Sequence, residues 1–330
     1  MTSPENPSLI GAGRTVIVGP VRYDELCPSG RDLLIGHGFT LVENDSTVPW
    51  TADELRARIA DADAAVAGVE VYDAAALDVA PRLRIISRLG VGLDNIDLDG
   101  ARARGVAVVN VPGGNAAAVA ELAIGFMLAV LRRLTEMNAA AKGGHWDRYV
   151  GRELAGKSIG LIGFGAIAQT VARRLAGFDV TVSAYDPYGD AAVAAALGVR
   201  LVDSLDAVVA DADIVSVHAP HLPSTHHTVD DRLIGLMRPG TILINTSRGG
   251  LVDEAALLRG LESGRIAGAG LDVFEREPAD SANPLFAFPA VVVAPHAAAD
   301  SREAYERIGL ATAQAIIDVF AGRVPAALVA

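Results

Sequence analysis

Arg248, Glu277 and His296 are the residues of this sequence whose types could act together on a bond. Each closely follows a strand-like apolar run. Arg248 comes after Ile242-Leu-Ile-Asn-Thr246, Glu277 after Gly270-Leu-Asp-Val-Phe274, and His296 after Val291-Val-Val-Ala-Pro295. Ligands of an open parallel sheet bind at the carboxyl ends of its strands. Three strands would therefore deliver a cation, an acid and an imidazole to one rim. That set suits hydride transfer to a 2-oxo acid. An arginine fork holds the carboxylate and polarises the ketone. A histidine gives the carbonyl oxygen its proton, and a carboxylate keeps that histidine protonated near neutral pH. Taken singly, each residue has a plainer reading: a solvated loop charge for Arg248 or Glu277, a packed cap for His296. Their shared placement after strand ends argues for a set.

Such a set needs a reductant held beside it, and the stretch Lys157 to Tyr188 is built to hold one. Ser158 to Ile162 is a short apolar run of strand length, followed at once by Gly163-Phe-Gly165-Ala-Ile-Ala168. Val171, Leu175 and Phe178 then recur at helical spacing, and Val180 to Ala184 forms a second run ending on Tyr185-Asp186. Strand, glycine turn, helix, strand and acid make the full context of a dinucleotide-binding fingerprint. Gly163 permits the tight turn, and Gly165 lets backbone approach a pyrophosphate lying on the helix N-terminus near Ala166. Ala168 takes the third glycine position, which only sets helix–strand packing. Asp186 lies about 20 residues beyond the first glycine, where a carboxylate meets the adenosine ribose. An acid there repels a 2′-phosphate, so NAD is expected rather than NADP.

Composition narrows the rest. The 330 residues are 51% apolar and 21% charged, enough for two domains with their own cores. The formal net charge of −12 argues against a nucleic-acid partner and suits a cytoplasmic protein. Cys27 is the single cysteine, which excludes an internal disulfide and a cysteine-based zinc site and leaves it as a small hydrophobe. Residues 1 to 13 are polar and Pro/Gly-rich, with no pattern of a secretion signal. Ala116 to Leu131 is nearly all apolar, but it contains Glu121 and falls short of the ~20 residues that span a bilayer. No membrane partner is expected.

The N-terminal part alternates strand-like runs (Thr15 to Val18, Thr40 to Val42, Ala64 to Ala67, Leu83 to Ser87, Val106 to Val109) with helical segments such as Thr51 to Ala60 and Asp73 to Ala80. Thr51-Ala-Asp-Glu54 reads as a capping box. The alternation resumes after the fingerprint, with runs at Ile214 to Val217, Thr241 to Asn245, Ala267 to Leu271 and Val291 to Ala294, and helices at Asp253 to Glu262 and Asp300 to Phe320. The expected fold class is α/β: two Rossmann-like or flavodoxin-like parallel-sheet domains with an active-site cleft between them. Asn110-Val-Pro-Gly-Gly-Asn115 is turn chemistry suited to a domain crossing. A long apolar helix is expected from there through residue 140, broken at Lys142-Gly-Gly-His-Trp146. Such a helix asks for more cover than its own domain gives, so it is a candidate contact of a homodimer.

The chain closely resembles the D-isomer-specific 2-hydroxyacid dehydrogenases, in their phosphoglycerate-dehydrogenase-like branch, from about Arg14 onward. The resemblance rests on SRLGVGLDNIDL at 87–98, NVPGGNAAAVAE at 110–121, GLIGFGAIA at 160–168 and YDPY at 185–188. INTSRGGLVDE at 244–254, GLDVFEREP at 270–278 and APHAAADS at 294–301 complete it. It implies Arg248 as the substrate-binding arginine, His296 as acid/base and Glu277 as its partner. It also implies backbone N–H groups of Val91 and Gly92 on the substrate carboxylate, and Asp272 beside the nicotinamide carboxamide. The full cofactor set is then Gly163, Gly165, Ala166, Ile167, Asp186, His218, Thr225, Thr246 and Asp272. The family architecture implies a discontinuous substrate domain, 1–109 plus 298–330, around an NAD-binding domain, 110–297, and a dimer through the helix after Asn115.

Two departures lie near the expected cleft: Ala116 where the family often has Thr, and Ala297-Ala298 where it often has Ile-Gly. The chain stops after the closing helix, so serine feedback through a C-terminal regulatory domain is not expected. Arg88 stands where phosphoglycerate-type members place an arginine near the substrate phosphate. A phosphate or phosphonate on the substrate follows from that reading, and pairing of Arg88 with a surface acid is the alternative. Glyoxylate, hydroxypyruvate and phosphite are the other substrates the family suggests. A nucleotide-sensing scaffold without turnover, such as a corepressor, is the alternative outside enzymes. His218, His221, His226 and His227 cluster in sequence, but an irregular Pro-containing loop is expected to scatter them, and no metal site is expected. Asp203, Asp206, Asp211 and Asp213 are expected to face water.

Overall fold

A computed structural model describes residues 9–330. They divide into two compact units, one built from residues up to Asn115 together with Asp300–Ala330, the other from Ala116–Ala299. The crossings thus fall at 115/116 and 299/300.

The first unit carries a five-stranded sheet of β1 (Thr15–Val18), β2 (Thr40–Glu43), β3 (Ala64–Ala67), β4 (Ile85–Arg88) and β5 (Ala107–Val109), in the order β2-β1-β3-β4-β5. Every pairing is parallel. The central strands are apolar on both faces because helices cover both. On one face the helix Ala52–Ile59 buries Leu55 and Ile59, and it starts with the expected capping box: Thr51 Oγ1 accepts from Glu54 N while Glu54 Oε2 accepts from Thr51 N. On the other face Pro28–Gly36 packs against the closing helix Arg302–Phe320. Their crossing has no room for side chains. A Cβ on Gly30 would lie 2.5 Å from the carbonyl oxygen of Gly309, and one on Gly309 would lie 2.6 Å from Cys27 Cβ. Cys27 is fully buried there, and burial pushes its thiol up to about 12, so it packs as a hydrophobe.

The second unit carries seven strands: β6 (Ser158–Ile162), β7 (Thr181–Tyr185), β8 (Val199–Leu201), β9 (Ile214–Val217), β10 (Thr241–Asn245), β11 (Ile266–Leu271) and β12 (Val291–Val293). Their order is β12-β11-β10-β9-β6-β7-β8, all parallel. The chain winds outward from β6 in one direction and then from β9 in the other, so the switch point lies between β6 and β9. Both sheets are parallel α/β, the fold class read from sequence.

One element differs from its expectation. The apolar helix does not run through residue 140. It spans Ala116–Arg132, Arg133 turns left-handed at φ 53, and a second helix, Leu134–Lys142, follows. The first packs on the helix Ala166–Leu175 and on β11, so its apolar face finds cover within its own unit. The second buries none of its residues, and Trp146 and Val150 beyond it are about nine-tenths exposed. Among the described residues no helix is long and apolar enough to cross a membrane.

Candidate active site

The carboxyl end of β6 turns at Gly163, whose φ of 93 an L-residue side chain would resist. A Cβ there would also lie 2.7 Å from the backbone N of Ala219, so the turn is pressed against the end of β9. Gly165 caps the helix Ala166–Leu175 without a side-chain hydrogen bond. A Cβ on Gly165 would meet nothing within 4 Å. The first N–H groups of a helix have no intrahelical partner, so those near Ala166 and Ile167 face an open cradle at its positive end. Asp186, at the end of β7, accepts from Phe164 N at 2.7 Å and from Tyr188 N at 2.8 Å, which sets an acid against the glycine turn.

Two polar groups at the ends of neighbouring strands lack partners. Thr246 is buried with no hydrogen bond to Oγ1, and His218 Nδ1 is buried likewise. The other nitrogen of His218 meets Ser216 Oγ at 2.9 Å, and burial pushes the imidazole down to about 4, so it is neutral at pH 7. Thr225 is placed differently from the other expected cofactor residues. Its hydroxyl accepts from Leu222 N at 2.7 Å and donates to the Pro220 carbonyl at 2.7 Å, closing its own turn.

Along the same edge, Glu277 and His296 meet. His296 Nδ1 lies 2.7 Å from Glu277 Oε2. Burial works to raise the Glu277 carboxyl, but hydrogen bonds from His296 and Phe274 N and the charges of His296 and Arg248 outweigh it, and the net direction is down. An ionised carboxylate can only accept, so Nδ1 carries the proton and Nε2 is the atom left to face a ligand. The Glu277 hydrogen bond raises the His296 pKa, against burial and the Arg248 charge. Arg248 is thus close enough to act on both partners. Its loop is drawn in by Gly249, where a Cβ would lie 1.9 Å from the Phe274 carbonyl carbon. Only glycine lets the turn after β10 press onto the segment leading to Glu277.

The His296 backbone is itself left-handed, at φ 54, a conformation that costs a non-glycine residue energy unless neighbours impose it. Asp272 imposes it. Its carbonyl accepts from His296 N at 2.7 Å, and its two carboxylate oxygens accept from Ala297 N and Ala298 N at 2.8 and 2.9 Å. The family resemblance implies Asp272 beside the nicotinamide carboxamide, and nothing in the sequence marks this fastening role.

In the first unit, the loop after β4 presents donors. Arg88 donates to the carbonyls of Ala67, Leu89 and Gly92, and Asn110 Nδ2 donates to Val91 O. With carbonyls so tied, the N–H groups of Val91 and Gly92 enter no hydrogen bond among the described residues. Asn110 was missed in sequence, where it read only as turn chemistry.

The histidine loop also departs from its expectation. Three imidazoles gather rather than scatter: His221 Nε2 lies 3.2 Å from His226 Nδ1, His226 stacks on His227 at 3.8 Å, and His227 Nε2 meets Glu275 at 2.9 Å. Among the described residues no group of three or more His, Cys, Asp or Glu is arranged to hold a metal ion. Asp203, Asp206 and Asp211 are exposed, but Asp213 instead accepts from Ser158 N at 2.9 Å, pinning the start of β6.

Residues 124–298 match the family model described as D-isomer specific 2-hydroxyacid dehydrogenase, NAD binding domain. The chain belongs to this family. The D-3-phosphoglycerate dehydrogenase of Mycobacterium tuberculosis is 44% identical over 273 residues, 82% of this chain and 51% of its own length. The chain therefore spans about half the length of the phosphoglycerate dehydrogenases it matches. A glyoxylate reductase of Thermofilum pendens is 39% identical and shares 88% of this chain and 87% of its own length. Among solved structures, D-lactate dehydrogenase with NAD+ from Lactobacillus jensenii aligns at TM-score 0.78 and 27% identity, covering 96% of this chain and 99% of that one. NAD is the cofactor of this dehydrogenase family, and the residues present fit it. The bare cradle at Gly165, the acid at the end of β7 and the partnerless Thr246 Oγ1 and His218 Nδ1 are what a bound dinucleotide would engage.

Proposed function

We propose that this chain is an NAD-dependent D-2-hydroxyacid dehydrogenase that interconverts a small 2-oxo acid and its D-2-hydroxy acid. The observation that carries the reading is the Glu277–His296 pair under the charge of Arg248, on the strand edge that also holds the dinucleotide cradle. Bound NADH supplies the hydride that the 2-carbon takes up. Arg248 binds the substrate and polarises its ketone. His296 holds a proton on Nε2 and passes it to the carbonyl oxygen, while Glu277 keeps the ring charged and oriented. The N–H groups of Val91 and Gly92 take the substrate carboxylate. The test is NADH loss across glyoxylate, hydroxypyruvate, phosphohydroxypyruvate and a phosphonate analogue. Protein that binds NADH and reduces none of them would be a nucleotide-sensing scaffold instead.

Two readings of the substrate's far end have support. The named relative from M. tuberculosis and the position of Arg88 favour a phosphorylated one. The T. pendens relative, which the chain covers at nearly full length, favours glyoxylate or hydroxypyruvate. A cytoplasmic homodimer through the helix after Asn115 completes the proposal, with exposed Trp146 and Val150 further along the chain as added apolar surface a second copy would cover.

The Glu277–His296 bond fixes a pH dependence. Reduction needs His296 protonated, and Glu277 raises its pKa, so kcat/KM for reduction stays high until pH passes that raised value. Glu277→Gln is expected to move the alkaline limb to lower pH. A pH profile of kcat/KM reads this directly, and an unmoved limb removes Glu277 from the role.

A further inference from the structure

Asn245 is a buried amide that the reading above leaves unused. It closes the apolar run Ile242-Leu-Ile244 at the carboxyl end of β10, where it is 1% exposed. A polar side chain so placed needs its hydrogen bonds met inside the protein. Both of its ends are met by the turn that follows. Oδ1 accepts from Ser247 N at 3.1 Å, and Nδ2 donates to the Arg248 carbonyl at 2.9 Å. Ser247 Oγ in turn donates to the carbonyl of Val217, the last residue of β9, at 2.6 Å. The backbone of Asn245 is itself fixed, since it lies in register with Val217 on one side and Leu271 on the other. The carboxamide thus carries the order of a central strand onward to Arg248.

Arg248 needs such help. It is extended, at φ −144 and ψ 141, and stands outside any strand, between the end of β10 and the short turn Gly249–Leu251. Its carbonyl also accepts from Leu251 N, but at a longer 3.3 Å. Its guanidinium Nη1 donates to Ser247 O at 2.8 Å, so the side chain lies back against the turn that Asn245 holds. With Gly249 pressed on the Phe274 carbonyl, that turn is clasped between the ends of β9 and β10 and the segment after β11. An aspartate has no donor for the Arg248 carbonyl, an alanine has neither donor nor acceptor, and a serine hydroxyl is one bond shorter than Nδ2. Among side chains of this length, the amide alone supplies both bonds.

We propose that Asn245 is a positioning residue for the reaction: its carboxamide holds the Arg248 backbone so that the guanidinium stays beside the Glu277–His296 pair and on the substrate. This rests on the dehydrogenase reading and deepens it. The test uses Asn245→Ala, with Asn245→Ser as the milder change, at saturating NADH with glyoxylate and hydroxypyruvate. kcat/KM for reduction is expected to fall by about 10- to 10²-fold, the cost of a small misplacement of a group at the reacting centre. Loosened packing alone would give such a loss, so the deciding readout is pH. The Glu277 hydrogen bond and the charges of Glu277 and Asp272 raise the His296 pKa, while burial and the Arg248 charge lower it. Once the guanidinium is released, the alkaline limb of kcat/KM should move to higher pH, the direction expected of Arg248→Met, which lacks that charge. In an Arg248→Met background Asn245→Ser should move the limb no further. His296 is also titrated by NMR without substrate, with His296→Asn to assign its signal. A limb and a titration that stay at their wild-type positions overturn the proposal, and so does an equal shift in the Arg248→Met background. If the titration shifts but no 2-oxo acid is reduced, Asn245 keeps its role and the dehydrogenase reading falls. If turnover is found and neither moves, the reverse holds.

Discussion

Replacing His296 with asparagine is expected to lower kcat for reduction of a 2-oxo acid by about 10²–10⁴-fold, the usual worth of a positioned acid/base. The amide keeps a polar group near Glu277 but cannot exchange a proton. NADH affinity should change little, because the cradle at Gly163 to Ile167 and Asp186 lies on other loops. Stopped-flow measurement of NADH consumption, with NADH binding followed separately by fluorescence, separates the two effects. Equal losses in both would mean that the left-handed loop had collapsed. Unchanged turnover would take His296 out of the chemistry. The loop itself should survive, since Asp272 fastens it through backbone N–H groups rather than through the imidazole.

Arg248→Lys carries the second large expectation. Lysine keeps the charge that acts on Glu277 and His296 but loses the planar fork. A fall of about 10²–10³-fold in kcat/KM is expected, comparable with the loss of one donor aimed at developing negative charge. The pH limb set by His296 should stay near its wild-type position, because a cation remains beside the pair. Arg248→Met should instead raise that limb, since the Arg248 charge works to lower the His296 pKa. Steady-state kinetics of the two variants across pH thus separate geometry from charge. A lysine variant with wild-type kcat/KM would show that the fork is not what holds the substrate.

Both substitutions target residues found by position in sequence, and the reason they were visible is local. Strand, glycine turn, helix, strand and acid are set by near neighbours: Gly163 by the φ it must adopt, the helix from Ala166 by its apolar spacing, the start at Thr51 by a cap that reaches three residues on. Alternating runs of this kind were enough to fix two parallel α/β sheets and the strand ends after which Arg248, Glu277 and His296 stand. Chain-local chemistry carries that far.

Burial and pairing belong to residues distant in sequence, and only the tertiary structure decided them. Nothing in Val69-Glu-Val71 marks Glu70 as buried; the glycine ends of β1 and β3 enclose it. Arg88 reads as a cation open to a phosphate, yet it turns donors to carbonyls of its own loop. Asp272 holds the His296 turn across 25 residues of sequence, and three imidazoles expected to scatter gather, His226 stacked on His227 and within hydrogen-bond distance of His221. The break at Arg133 depends on a single left-handed residue that no apolar pattern marks. In each case the energy of a charged or polar group is set by what desolvates and pairs with it, and those neighbours are chosen by the fold rather than by the adjacent residues.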